Sequence, residues 1–152
     1  MAGSGKTPPG SARAPAWKVI VLGVSADLGG TFVLSVLLSI VAGLWLGELA
    51  SDEGTVRTLM ESGAWTALGF AAGSACTVLG AYVAARVANR DEYGFALVSS
   101  LIALALGELV GSGSDDMSSF MLRVAGWLLT APLALLGARI RVIQKERHIT
   151  KG

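Results

Sequence analysis

The sequence predicts an all-α protein, a bundle of four transmembrane helices, and three observations lead there. Four long apolar stretches alternate with short polar ones. The chain is 53% hydrophobic and only 15% charged, against about 25% charged in an ordinary soluble domain, and its mean hydropathy is +0.62. The apolar stretches are also rich in Gly, Ala, Ser and Thr rather than Leu and Phe. A soluble core needs large side chains to drive its packing, whereas a membrane helix gains nothing by burying them against lipid and uses small residues to approach its neighbours.

The segment Trp65–Arg90 carries these signals most clearly. It has no charge between Trp65 and Tyr82, and the distance from Trp65 to Arg86 is about 31 Å at 1.5 Å per residue, the thickness of a bilayer core. Gly69, Gly73, Thr77, Ala81 and Ala85 recur at every fourth position, a line of small residues that lets a neighbouring backbone approach closely. The expected span is 64–89.

Taken in order, residues 1–16 hold three prolines and three glycines without periodicity and read as a disordered cytoplasmic leader. Gly3–Thr7 spells GSGKT, but a phosphate-binding loop needs an earlier glycine, a preceding strand and a following helix. Here the chain has just begun and Pro8-Pro9 follows, so no nucleotide site is read. The first span, 17–49, is too long to stand perpendicular to the membrane. It tilts, bends at Gly29-Gly30, or lays its first turns in the interface. It is also too long for a secretory signal. Gly23, Asp27, Thr31, Ser35, Ser39, Gly43 and Gly47 form another every-fourth line. Two readings suit this line: a packing seam against the second helix, or a hydrophilic lining that starts at Asp27. Packing is favoured, because Ser and Thr hydroxyls can bond back to their own helix. The expected seam comprises Gly43, Gly47, Gly69, Gly73 and Gly80.

A polar loop and a tight turn at Asn89–Glu92 flank the second span. The third is 93–110, and a Gly/Ser/Asp loop leads to the fourth, 119–143. Pro132 should kink it, a feature tolerated where neighbours satisfy the freed backbone. Residues 144–152 form a basic cytoplasmic tail. Segments 39–49 and 99–109 align without gaps and share Leu-Gly-Glu-Leu, which suggests two parallel helical-hairpin repeats.

The string Gly80-Ala81-Tyr82-Val83-Ala84-Ala85-Arg86, late in the second span, resembles the Gly-x-Tyr-Val-Ala-x-Arg segment of small bacterial four-span integral membrane proteins. Ala81 and Ala85 stand where those proteins usually carry glycine. The resemblance implies the four-helix architecture and a bacterial inner membrane, and it transfers no activity.

Ionisable groups inside a span are costly and therefore candidates for function. Asp27, Glu48, Glu108 and Arg123 qualify. Asp27 lies deepest; the favoured reading pairs it with Arg86 or Arg139, so that Asp27→Asn would strand a charge, and the alternative makes it a protonatable or cation-binding carboxylate. Glu48 and Glu108 approach the outer ends of their helices, where they are either simply exposed at the interface or, as equivalent positions of the repeat, face each other across its axis. Arg123 enters the fourth helix at the depth of Glu108, so an ion pair is expected there, and Arg57 is the nearest candidate for Glu48. One cysteine, Cys76, and one histidine, His148 in the tail, leave no disulfide framework, metal set or catalytic constellation. No cofactor and no nucleic-acid partner is called for. The expectation is a non-catalytic integral membrane protein that self-associates or binds a larger membrane partner. The alternative is a small transporter or channel-like subunit using Asp27 and the Thr31/Ser35/Ser39 line.

Orientation follows from charge. Ten of the twelve basic residues fall on one side, with Arg57 and Arg123 on the other; basic segments stay cytoplasmic. Reporter fusions after Arg90 and after residue 152 should therefore read cytoplasm, and fusions near Asp52 and Asp115 the outside. A C-terminus found outside would require an odd number of crossings and defeat the four-span arrangement.

Overall fold

The structure, a computed structural model, describes residues 14–47, 58, 62–88, 91–111 and 117–149. They form four α-helices: α1 (Ala16–Leu46), α2 (Gly63–Ala88), α3 (Glu92–Gly111) and α4 (Met117–Ile149), with no strand among the described residues. All four are long and apolar enough to cross a membrane. The leader before Ala14, Glu48, Arg57 and the last three tail residues lie outside the described residues.

Pro15 precedes α1 in an extended conformation, and its carbonyl accepts from the Lys18 and Val19 amides. Proline suits a helix entrance because its missing N–H is an orphan there anyway. The helix runs unbroken through Gly29-Gly30, about 46 Å in all, so it must tilt or extend beyond the bilayer core. Pro132 lies inside α4 without ending it. That helix continues through the basic residues after Ile143 to Ile149, a run of Arg, Gln, Lys and Glu with good intrinsic helix propensity. Asp91, with φ of 43°, turns the chain between α2 and α3; Asp is one of the few residues that adopts this left-handed region readily.

Among the four helices α2 is central. It packs against α1, α3 and α4, while α1 and α4 each also pack on α3 and make no packed interface with one another. The buried residues gather toward the end of the bundle where the α2–α3 turn, the start of α1 and the end of α4 meet. Ala81, Ala85, Ala96, Ala134 and Ala138 form one cluster there, and Val19, Ala84 and Ala88 a second. Lys18, Arg86, Arg139, Arg141, Lys145 and Arg147 decorate the same end, which is called the basic end here. Two contacts tie α4 across it. Lys145 Nζ lies 3.0 Å from Glu92 Oε1, and Tyr82 donates its hydroxyl to Gln144 Oε1 at 2.8 Å.

Three glycines set the crossings. A Cβ on Gly80 would lie 2.7 Å from Asp27 Cβ and 2.9 Å from the Gly23 carbonyl oxygen. One on Gly23 would lie 2.9 Å from both Ala84 Cβ and Ser99 Cβ. One on Gly137 would press on the Val78 carbonyl and lie 2.9 Å from Ala81 Cβ. The seam therefore differs from the expected one. Gly80 belongs to it, but Gly43, Gly69 and Gly73 have nothing within 4 Å of where a Cβ would be, and Gly47 would meet only its own chain at Gly43 and Leu44. The every-fourth ladder on α2 has two fates along its length. Ala81 and Ala85 are fully buried against neighbours, whereas Gly69 and Gly73 face a gap because the helices have diverged by then. The line on α1 divides similarly: Gly23 and Asp27 are buried, Ser35, Ser39 and Gly43 exposed.

This division predicts opposite responses to the same chemical change. Gly80→Ala and Gly137→Ala must push backbone from backbone, and each should lower stability by about 1–3 kcal/mol, the usual range for overpacking. Gly69→Ala and Gly73→Ala meet nothing and gain helix propensity of up to about 1 kcal/mol, so they should be neutral or stabilising. Reversible unfolding in mixed micelles measures both. A Gly73→Ala protein destabilised as much as Gly80→Ala would contradict the crossing at Gly80.

Candidate functional site

Beyond the crossing the helices border an open cavity of about 420 Å³ to which all four contribute. Its walls take Asp27 and Thr31 from α1, and Gly69, Gly73, Ser74 and Thr77 from α2. Ser100, Ala103 and Glu108 of α3 and Gly126, Thr130 and Leu133 of α4 complete most of the lining. The cavity begins where the tight packing stops: Asp27 touches Gly80, and Ala134, the next turn of α4 after Thr130, already belongs to the alanine cluster. Glu108 lies at the far end, where Arg123 Nε is 3.6 Å from Glu108 Oε2 and both side chains are about one-third exposed.

Asp27 is held at the blind end. It is only 7% exposed. The Thr77 hydroxyl reaches its Oδ1 at 3.5 Å but lies closer, at 3.2 Å, to the Gly73 carbonyl of its own helix. One hydroxyl proton cannot serve both acceptors fully, so the carboxylate receives a weak share. The expected partners are elsewhere. Among the described residues no cation pairs with Asp27, and Arg86 and Arg139 are exposed at the basic end. The reason is reach: Arg86 lies nine residues beyond Thr77, about 13 Å along the helix, and an arginine near a helix end extends its charge toward water. The sequence-favoured ion pair is therefore not formed.

The hydroxyls around the cavity follow one pattern. Thr31 donates to the Asp27 carbonyl at 2.9 Å, Ser74 to Phe70 at 2.8 Å and Thr130 to Gly126 at 2.7 Å. Each spends its proton on its own helix and keeps oxygen lone pairs free. Ser100 is the exception. It is 2% exposed, and its Oγ has no hydrogen-bond partner, in a setting where buried polar atoms are nearly always satisfied.

Of the residues singled out on sequence, the cavity brings together Asp27, Thr31, Glu108, Gly69 and Gly73, and Arg123 joins through Glu108. Ser35 and Ser39 lie outside it, Ser39 bonding back to the Ser35 carbonyl at 2.9 Å. Sequence reasoning overlooked Ser74, Ser100 and Thr130. Thr130 was legible as part of an every-fourth line on the fourth span; Ser100 gave a weaker sign, a hydroxyl pair with Ser99 in an otherwise aliphatic run. Cys76 is buried, with its Sγ 3.3 Å from where a Gly30 Cβ would be, the position of a small apolar packing residue. No group of three or more potential metal ligands occurs among the described residues.

The arrangement offers one carboxylate and several hydroxyl oxygens as acceptors, with apolar walls. No family of proteins, no curated protein and no solved structure matches this chain.

Because Asp27 has no cationic partner, replacing it should strand nothing. Asp27→Asn keeps an oxygen for Thr77 and should cost no more than about 1 kcal/mol, the worth of one hydrogen bond. Breaking a buried ion pair would cost about 3–5 kcal/mol. Unfolding of the two proteins in the same micelles separates these cases, and a loss in the larger range would mean that Asp27 is paired.

Proposed function

We propose that the chain is a small integral membrane protein of a bacterial inner membrane that binds a cationic solute in its intrahelical cavity, acting as a transporter or a channel-like subunit with Asp27 as the binding carboxylate. One observation carries this reading: a buried carboxylate without a cationic partner at the blind end of a solute-sized cavity. Ionisable groups at such depth are expensive, face an interior or a cavity, and mark pathways for ions and substrates. The hydroxyl line that would serve the solute is drawn from several helices, through Thr77, Ser100 and Thr130, rather than along α1 through Ser35 and Ser39.

Positive-inside logic makes the basic end cytoplasmic, so the cavity opens toward the outside. Release on the other side then requires the basic end to part. Its packing is shallow, alanine against alanine and glycine, with few large side chains to disengage. The Glu92–Lys145 pair and the Tyr82–Gln144 hydrogen bond are the contacts that would have to break. The Tyr82–Gln144 bond is exposed and contributes about 1 kcal/mol, whereas Glu92 is buried and Lys145 is half-exposed, so parting this end costs more at the ion pair.

A second reading, a self-associating or partner-binding bundle, draws support from the small residues that no helix of the bundle covers on α2, Gly69 and Gly73. A second copy or a larger membrane protein would then cover the cavity.

Impermeant thiol reagents test the accessible-cavity reading. In a Cys76→Ala background, Ser74→Cys should react with a methanethiosulfonate added to the outer face of membrane vesicles. Ala134→Cys, in the sealed alanine cluster, should not. Ser74→Cys that is inert from outside, or reactive only from the cytoplasmic side, would overturn the outward-open cavity; inertness relieved when an oligomer is dissociated would favour the second reading.

A further inference from the structure

The solute class follows from the charges, the missing hydrogen bonds and the shape of the same cavity, and so rests on the reading that the cavity binds a solute. We infer that this ligand is a protonated primary or secondary amine carrying a compact apolar body, its ammonium held by Asp27 and Ser100. The count of charge comes first. Asp27 is the single acid at the blind end, while Glu108 sits at the far end against Arg123. One unpaired carboxylate in a low-dielectric site calls for one positive charge, since a second would be buried without compensation.

Hydrogen bonding narrows the cation. A carboxylate has about four lone-pair sites, and Asp27 receives only the divided Thr77 proton at 3.5 Å. Ser100 Oγ has no partner at all. Both residues line the one cavity, and Ser99, next to Ser100, packs against Gly23, one turn of α1 before Asp27. Both deficits are met by N–H donors. An ammonium supplies two or three of them, and a quaternary ammonium supplies none. A bare metal ion is poorly served, because hard cations such as calcium take about six to eight oxygens. Here a single carboxylate faces scattered hydroxyls, and no metal-ligand cluster occurs among the described residues.

Shape gives the rest of the molecule. A volume of about 420 Å³ lies within the range of small-molecule pockets, about 300–1,000 Å³, and far exceeds an ammonium alone. Phe70, Leu104, Leu129 and Leu133 form apolar wall. Gly73 and Gly126 leave that wall without side chains, with nothing within 4 Å of either Cβ position. An apolar group attached to the amine fills this space.

Calorimetric titration of the full chain in lipid nanodiscs, with benzylammonium as the probe, tests the inference. Binding should be saturable and at least about tenfold tighter than that of benzyl alcohol or benzyltrimethylammonium, a difference of about 1.4 kcal/mol. It should persist in excess sodium. Asp27→Asn should weaken it at least about tenfold and Ser100→Ala several-fold. Gly126→Val keeps both polar groups, and should weaken it by occupying the space of the ring. Equal binding of the alcohol or the quaternary amine would overturn the inference, as would displacement by sodium or unchanged affinity in both Ser100→Ala and a folded Asp27→Asn. Should Asp27→Asn fail to fold, Ser100→Ala and Gly126→Val decide alone. External labelling of Ser74→Cys without any binding of benzylammonium would reject the amine and leave the accessible cavity standing; failure of both would reject the two together.

Discussion

In a bilayer the apolar face of one helix is no more attracted to another helix than to lipid tails, so helices hold together only where their backbones come close enough for dense van der Waals contact. In this chain that closeness depends on the absence of three side chains. Gly23, Gly80 and Gly137 bring α1, α2 and α4 together within a short stretch of α2, between Val78 and Ala84. The alanines on either side of the crossing then fit against one another. Everything farther along depends on that crossing. Helices that touch at one level and are tilted relative to each other must separate at another, and the space they leave is the cavity.

Asp27 occupies the boundary between these two regimes. Its Cβ is part of the tight crossing with Gly80, while its carboxylate lines the cavity. A carboxylate placed lower would be sealed among alanines with no possible partner, at a cost of several kcal/mol. Placed higher, it would be open to the mouth, as Glu108 is. The boundary position limits the desolvation cost while keeping the group free of protein cations, and a binding carboxylate needs both conditions. The Glu108–Arg123 pair satisfies its own charges at the far end and so leaves Asp27 as the unsatisfied acid of the cavity.

Much of the architecture was legible in the chain. Four apolar spans, their small-residue ladders and the collection of basic residues at one end all correspond to α1 to α4 and to the basic end of the bundle. The likeness of Glu108 and Arg123 in depth was legible too. What could not be read was where along a ladder the close contact falls. Gly69, Gly73, Ala81 and Ala85 share one period, yet only the last two are buried. Steps of four residues advance about 400°, so the line winds around the helix. Where it meets a neighbour depends on the partner helices, with Gly137 supplying the crossing from the far end of the chain. For the same reason the partner of Asp27 was misjudged. Charge complementarity pointed to Arg86 and Arg139, but their depth along the helices carries them to the basic end. The hydroxyls of Ser100 and Thr130 converge on the cavity only through tertiary packing, which no periodicity within one span reveals.

A bundle packed in this way is dry and sealed at its basic end and wet above Asp27. Water-edited solid-state NMR of the protein in lipid bilayers measures this directly, by ranking residues according to magnetisation received from water. Transfer should be strong at Gly69, Gly73, Ser74 and Thr130, and no higher than background at Ala81, Ala85, Ala134 and Ala138. Transfer that continues through the alanine cluster, or a uniformly dry interior from Gly69 to Ala88, would contradict this packing.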